Sequence, residues 1–443
     1  MIKLRCRNGY RNNKILPHKK LFIDILTKDI DVKHCVLDLI DNSIDSYIRK
    51  GYSDEREVSI NIRNGSFEIF DNCGGIDKET LINDVFRFGV EELKRDKPTM
   101  GLFGIGLKRA VFKLGEKIKL ETDDGKDLSI LDLDINTWQR SKEWDMEFET
   151  GSTKLDKGNK PYTKITVNKI YDDIKNKMNL PSFINDLSEA THIVYTKFIE
   201  RGISIIINKN KLEAYPITVT YDDRYNPQRY IGKIDGINVD IICGIDPSEK
   251  RKKIKIGDKG WNFFCNDRLI LVGDISEASG WSGKDGRLPK YHNIYNEFKG
   301  LVFLTSDDPS KLPLNTSKTG LNLEDKVYNN ILTKMIETAR PIIKYLTKKY
   351  DKEKTESDDL EISIDELIKS SEEIKVEKVE IRNLAKKISF KAPQPKPKPI
   401  SVKIRYEKPK IMVDKVKDHL KVTTLKAVGE KTFDYYVKME EVL

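Results

Sequence analysis

Asp38, Asn42 and Asp45 are spaced i, i+4, i+7, so on a helix at 100° per residue they share one narrow polar stripe, with Asp41 beside it. The rest of that helix is apolar around most of its circumference, which predicts burial. Buried carboxylates and a carboxamide need partners, and a metal ion with water and phosphate would supply them. A stripe facing solvent would show the same spacing. A second group follows a predicted strand ending at Phe70: Asp71-Asn72-Cys73-Gly74-Gly75-Ile76. An acid at a strand end can accept a hydrogen bond from an exocyclic amine, and the glycines let a flat ring approach the backbone. An Asx-type turn capping the strand accounts for the same residues. The third group is Gly101-Leu102-Phe103-Gly104-Ile105-Gly106-Leu107-Lys108, at the start of a predicted helix. Amides at such a start can hold an anion; a glycine-rich loop with no ligand is the plain alternative. The group is neither a Walker A nor a Rossmann motif, because Lys108 is not adjacent to Gly106 and the glycine order is reversed.

These residues need elements to hold them. Residues 32–50 read as one helix with Val32, Val36, Leu39, Ile40, Ser43 and Tyr47 on one side. Val58, Ile60 and Ile62 alternate in 57–63, Asn64-Gly65 supplies a two-residue turn, and 66–70 returns as a hairpin. A second hairpin is predicted for 116–122 and 126–135, and a strand for 163–170. A helix at about 181–200 leads to strands at 204–208, 261–266, 268–273 and 301–305, which favour a second sheet. Residues 324–350 have helical spacing that Pro341 should kink or restart. Residues 362–389 read as helical, 391–410 as a stiff proline- and lysine-rich spacer, and 412–443 as a small helical unit.

Composition sets the outer limits. The chain has 443 residues, 38% hydrophobic and 34% charged, with a formal charge of +9. That length corresponds to roughly three units of about 150 residues. The basic excess is mostly lysine and is weak grounds for a polyanionic partner. Five cysteines without a CxxC pair argue against a disulfide framework and a zinc cage. No apolar run reaches the ~20 residues needed to cross a bilayer, and the N-terminus lacks a signal-peptide core. The expectation is a cytoplasmic protein with no membrane contact.

The order of the three groups is more specific than any one of them. D-x-x-x-N-x-x-D, then a strand-end D-x-x-G-G, then G-x-x-G-x-G-L-K, all within 38–108, resembles the GHKL ATPase superfamily: type II topoisomerases, Hsp-ninety chaperones, MutL and MORC proteins, and sensor histidine kinases. The closest likeness is to prokaryotic MORC- and MutL-like ATP-binding proteins. Residues 260–274 are similar to a transducer strand pair, and 312–322 to the loop that sends a lysine toward ATP. The resemblance implies a Bergerat-type α/β sandwich nucleotide domain at 21–175, a transducer-like α/β domain at 176–350, and a mainly helical C-terminal tail. A basic arm at 1–20, a linker at 351–411 and a unit at 412–443 complete the division. By the same resemblance Asn42 would hold Mg²⁺, Asp71 would bind the adenine amine, and the run Gly101 to Lys108 would wrap the phosphates of ATP. Lys318 would reach the γ-phosphate. Asp45, Gly75, Ile76 and Thr163 complete the implied ATP contacts. Asp38 stands at the general-base position, where most of these ATPases carry Glu, and Cys73 stands where the adenine box usually has its first Gly.

The implied activity is a slow ATPase acting as a switch, with ATP ordering a lid at about 85–106 and two chains closing as a homodimer. An alternative is a nucleotide-gated binding module that scarcely hydrolyses. A histidine-kinase-type protein kinase is disfavoured, since only 31 residues precede Val32 and His34 lies inside the nucleotide domain. Duplex DNA is a candidate partner through the basic run 251–259 and the spacer 391–410, as is a companion protein through the C-terminal region. A role in prokaryotic defence is conceivable from the relatives alone.

Overall fold

The helix that carries the first polar group is Val32–Lys50, and both its ends follow from sequence. The Asp31 carboxylate accepts the His34 amide at the N-cap, and Gly51 closes the C-terminus at φ 71. This element belongs to a computed structural model that describes residues 18–441 apart from 64, 88–96, 102–103, 154, 156–158, 222–225, 247–258, 316–317, 356–371, 377–378, 380–401 and 403. The chain falls into two units, residues 1–393 and 394–443, each described by itself.

Longer helices are numbered here in chain order. In the first unit these are α1 (Lys19–Lys28), α2 (Val32–Lys50), α3 (Gly106–Leu114), α4 (Pro181–Val194) and α5 (Lys326–Thr355). The strands of its first sheet are β1 (Arg56–Arg63), β2 (Ser66–Asp71), β3 (Lys117–Asp123), β4 (Asp127–Asp134), β5 (Glu149–Ser152), β6 (Tyr162–Val167), β7 (Ile203–Ile207) and β8 (Asn210–Lys211). Their spatial order is β5-β4-β3-β6-β2-β1-β7-β8. The expected hairpin pairs Val58 with Asp71 and Arg63 with Ser66. Val58, Ile60 and Ile62 join the core with Val36, Leu39 and Ile40 of α2, so helices cover one face of a mixed sheet. That is the α/β sandwich the resemblance implies.

The second sheet has the order β10-β11-β14-β12-β13. Its strands are β10 (Gln228–Ile234), β11 (Ile237–Ile245), β12 (Gly260–Cys265), β13 (Arg268–Asp274) and β14 (Phe298–Thr305). Along β11, Ile237, Val239 and Ile241 face a core shared with α5, which supplies Ile331, Met335 and Ile342. Ile242, on the opposite face, packs with Phe264 and Leu301 in a third cluster. Burial on both faces explains why β12 and β14 read as largely apolar runs.

Three sequence expectations are corrected. Residues 204–208 do not enter the second sheet: β7 lies parallel to β1, pairing Val58 with Ile205. The helix through Pro341 does not restart, since α5 is one helix of 30 residues; its buried face, including Ile342 and Leu346, holds it together past the missing donor. Within 362–389, Glu372–Lys375 is strand β15 rather than helix, pairing Ile374 with Val219 of β9 (Thr218–Tyr221). That pairing, with Val376 buried beside Val219, overrides local helical preference. The arm at 1–20 runs into α1, a helix without a capping side chain. Lys19 secures it from a distance, donating to the carbonyls of Trp138 and Ser141 at 2.7 and 3.1 Å, 4.4 Å from the Trp138 ring centroid. Residues 1–17 lie outside the described residues.

The second unit contains the expected helices, α6 (Lys410–Leu420) and α7 (Leu425–Met439), neither of which buries a residue.

Candidate nucleotide-binding site

The strand-end acid makes the Asx-type contact that also accounts for these residues, its side chain accepting the amide two positions on. Asp71 closes β2 with 6% exposure, its carboxylate accepting the Ser43 hydroxyl at 2.8 Å and the Cys73 amide at 2.9 Å. Burial pushes the Asp71 carboxyl up to about 6, against the opposing pull of those two donors. Thr163 lies opposite Asp71 in the β2–β6 register. Its hydroxyl is 3.2 Å from that of Thr122, which in turn accepts the Ile76 amide at 2.8 Å. Gly75 sits at φ +63, and a Cβ there would come within 2.1 Å of the Asp123 carbonyl oxygen. Only glycine allows this turn to lie so close to the sheet. Asp71, Gly75, Ile76 and Thr163 therefore form one cradle, tied by Ser43 and Thr122, which sequence reasoning missed. Thr122 carried a signal, as the last residue of a predicted strand.

The polar stripe of α2 is buried, so the solvent-facing alternative fails: Asp38, Asp41 and Asp45 are 3%, 1% and 2% exposed. Their partners are protein groups rather than the metal and water expected. Asp38 receives Arg109 Nη2 at 2.5 Å. Asp45 accepts the Met100 and Gly101 amides, each at 2.6 Å, and burial raises its pKa. It therefore pins the root of the glycine-rich segment, so close that a Cβ on Gly101 would meet its Oδ2 at 2.9 Å. Asp41 is the most heavily engaged. Its Oδ1 lies 2.7 Å from both Arg268 Nε and the Tyr195 hydroxyl, and its Oδ2 accepts Lys318 Nζ at 2.7 Å. Burial alone would raise its pKa, but Arg268 and Lys318 hold it down to about 2. Asn42 differs from its neighbours: its Nδ2 is buried with no hydrogen-bond partner among the described residues.

The glycine-rich segment leads into α3, which starts at Gly106 with Ile105 as N-cap. A Cβ at Gly106 would contact the Asp38 carboxyl carbon at 3.5 Å, so this helix start abuts the first polar group. First-turn amides of a helix have no intrahelical acceptor and suit an anion. Gly104 has φ 61; Leu102 and Phe103 lie outside the described residues. Lys108 is almost fully buried. Its Nζ donates to the carbonyls of Val85, at 2.8 Å, and Gly104, tying together the two ends of the expected lid. Burial lowers its pKa to about 8. Lys318, expected at a phosphate, has its ammonium on Asp41 and its backbone at φ 54.

Residues 30–163 match the family model described as Histidine kinase-, DNA gyrase B-, and HSP90-like ATPase. The span includes all three groups and Thr163. This supports the GHKL superfamily for that part of the chain, and with it an ATP-binding, ATPase-type function in general, in which Mg²⁺ commonly accompanies ATP. No curated protein matches the chain. Among the described residues no helix is long and apolar enough to cross a membrane, and no group of three His, Cys, Asp or Glu could hold a metal ion.

Proposed function

We propose that this chain is an Mg-ATP-dependent GHKL ATPase, akin to prokaryotic MORC- and MutL-like proteins, that works as a conformational switch and closes as a homodimer. The observation that carries the reading is the buried Asp71 carboxylate beside Gly75, Ile76 and Thr163; each carboxylate oxygen accepts one donor from the chain and keeps acceptor capacity for a purine amine. Asp71 binds the adenine, and the segment Gly101 to Lys108 encloses the phosphates.

Magnesium fits the residues present. Asn42 offers one carboxamide oxygen on the α2 stripe, and a hard cation held chiefly by phosphates and water needs only one or two protein oxygens. Its Nδ2, without a partner among the described residues, is a donor suited to a phosphate or water oxygen. When bound, the ion neutralises phosphate charge. Asn42 would hold the ion through Oδ1, and Asp38 would direct the attacking water. Calorimetry with Mg-ATP on the whole protein, beside Asn42→Ala and Asp71→Asn, tests the reading: micromolar-range heat lost in both variants is expected, and a silent wild-type titration refutes it.

One observation favours a second reading, a nucleotide-gated module with little turnover. Arg109 occupies an oxygen of Asp38, the group that would have to accept a proton from water. ATP binding with turnover at background would select it. Duplex DNA and a companion protein are partners in either reading. Of the basic stretches proposed for DNA, 251–258 and most of 391–410 lie outside the described residues. For a companion protein, α7 exposes Phe433, Tyr435 and Tyr436. DNA-stimulated turnover, or duplex binding that weakens with salt, would support the DNA role.

A further inference from the structure

The turn joining β12 to β13 consists of Asn266 and Asp267, both with positive φ, 45 and 66. Such a two-residue turn asks only for residues that tolerate that backbone, and an exposed Asn, Asp or Gly would serve. Asn266 is instead 2% exposed. Its Nδ2 donates to the carbonyls of Thr99 and Ser306 at 2.8 and 3.0 Å, and its Oδ1 accepts the Ser306 amide at 2.9 Å. Thr99 begins the root of the expected lid. The next residue, Met100, is buried in the second sheet's core beside Ile237 and Leu314, while its amide and that of Gly101 are held by Asp45. The lid root is thus gripped from α2 on one side and from the second sheet on the other.

Two residues after Asn266, Arg268 grips the other functional segment. Its Nε meets Asp41 at 2.7 Å and its Nη1 donates to the Lys318 carbonyl at 3.1 Å. The Lys318 ammonium returns to the same carboxylate. Between them, Asp267 accepts Arg201 at 2.6 Å, anchoring the middle of the turn. The acceptors Asp41 and Asp45 are one helical turn apart on α2, so lid root and lysine loop meet the same helix.

We propose that this turn couples the lid to Lys318: Asn266 is a positioning residue for the lid root, and Arg268 a positioning residue for the lysine loop. Because the two are separated by one residue in a hydrogen-bonded hairpin, displacement of Thr99 moves Arg268, and with it the carbonyl that fixes Lys318. The inference rests on the ATP reading above. Coupling of this kind requires a measured interaction between the sites, not proximity alone.

The test uses the full-length protein and the variants Asn266→Gly, which keeps the turn's backbone and removes the carboxamide, Arg268→Lys and Lys318→Met. A non-hydrolysable ATP analogue is titrated by calorimetry, steady-state kcat and KM are measured, and hydrogen exchange is followed in peptides covering 97–106. Asn266→Gly is expected to lower kcat by about tenfold, equivalent to about 1.4 kcal/mol of barrier, with analogue affinity changed less than threefold. Nucleotide should then no longer slow exchange at 97–106 as it does in the wild type. Combined with Lys318→Met, Asn266→Gly should cost nothing further. Additive kcat losses, or unchanged exchange protection in Asn266→Gly, would overturn the coupling. Should Asn266→Gly fail to fold, Arg268→Lys combined with Lys318→Met takes its place with the same two criteria. A wild type that gives no heat with the analogue defeats the ATP reading itself, which distinguishes that failure from loss of coupling in a protein that binds.

Discussion

Replacing Asp71 by Asn should make the protein more stable and unable to hold ATP. The folded carboxyl titrates at about 6 against 3.8 for an ordinary one, so the fold binds this proton more tightly than the unfolded chain does. An acid shifted in that direction costs nothing below about pH 4, and its cost grows until the pH passes about 6, reaching about 3 kcal/mol at neutral pH. An asparagine removes the buried charge while keeping both partners. Its oxygen can accept the Cys73 amide, and its NH₂ can donate to the Ser43 hydroxyl, which turns to accept. The variant should therefore be about 3 kcal/mol more stable than wild type at pH 8, with the advantage gone at pH 4. Urea denaturation of both proteins across that range measures it, because all other titrations cancel in the difference. Calorimetry on the same samples should show Mg-ATP binding in the wild type only, weakening about tenfold between pH 7 and 5 as the carboxylate is protonated. A stability difference that does not change with pH would refute the argument, since it would mean that burial is not what perturbs Asp71.

Three further outcomes follow from single contacts. Gly75→Ala should cost more than about 2 kcal/mol and abolish nucleotide heat, because its Cβ would enter the Asp123 carbonyl at 2.1 Å in a positive-φ turn; thermal melts check the first and calorimetry the second. Arg109→Ala leaves Asp38 buried without its cation and should destabilise by about 3–5 kcal/mol, whereas the double variant with Asp38→Ala recovers much of that loss in denaturant titrations. Met100→Ala should cost about 2–5 kcal/mol and speed exchange at the lid root, because the side chain is buried in the second core; unchanged exchange there would show that the core does not hold the lid.

Local pattern made part of the site readable in advance. The bounds of α2 follow from an Asp cap and a terminal Gly, and the β1–β2 register from alternation and a two-residue turn. Those two elements place Asp71 and the Asp38–Asn42–Asp45 stripe, so the resemblance could be recognised from residues 38–108 alone. Strands β10 and β11 went unread although Asp235-Gly236 between them has the turn chemistry of a hairpin. The mixed polar and apolar residues of β10 hid its period.

What the stripe does with its charges was decided elsewhere in the chain. Arg109, Tyr195, Arg268 and Lys318 reach α2 from 71 to 277 residues away, and a helical wheel shows only which residues share a face, never what stands opposite. The same limit applies to β7, whose Ile203–Ile207 reads as a buried strand in either sheet but pairs with β1. It applies to Glu372–Lys375, which becomes a strand because β9 offers it an edge. Periodicity is a property of a segment and is written in its residues. Partner choice depends on which surfaces the whole chain brings together, so only the tertiary structure could turn a row of acids into an anchor for the glycine-rich segment, a partner for Arg109 and a seat for a distant lysine.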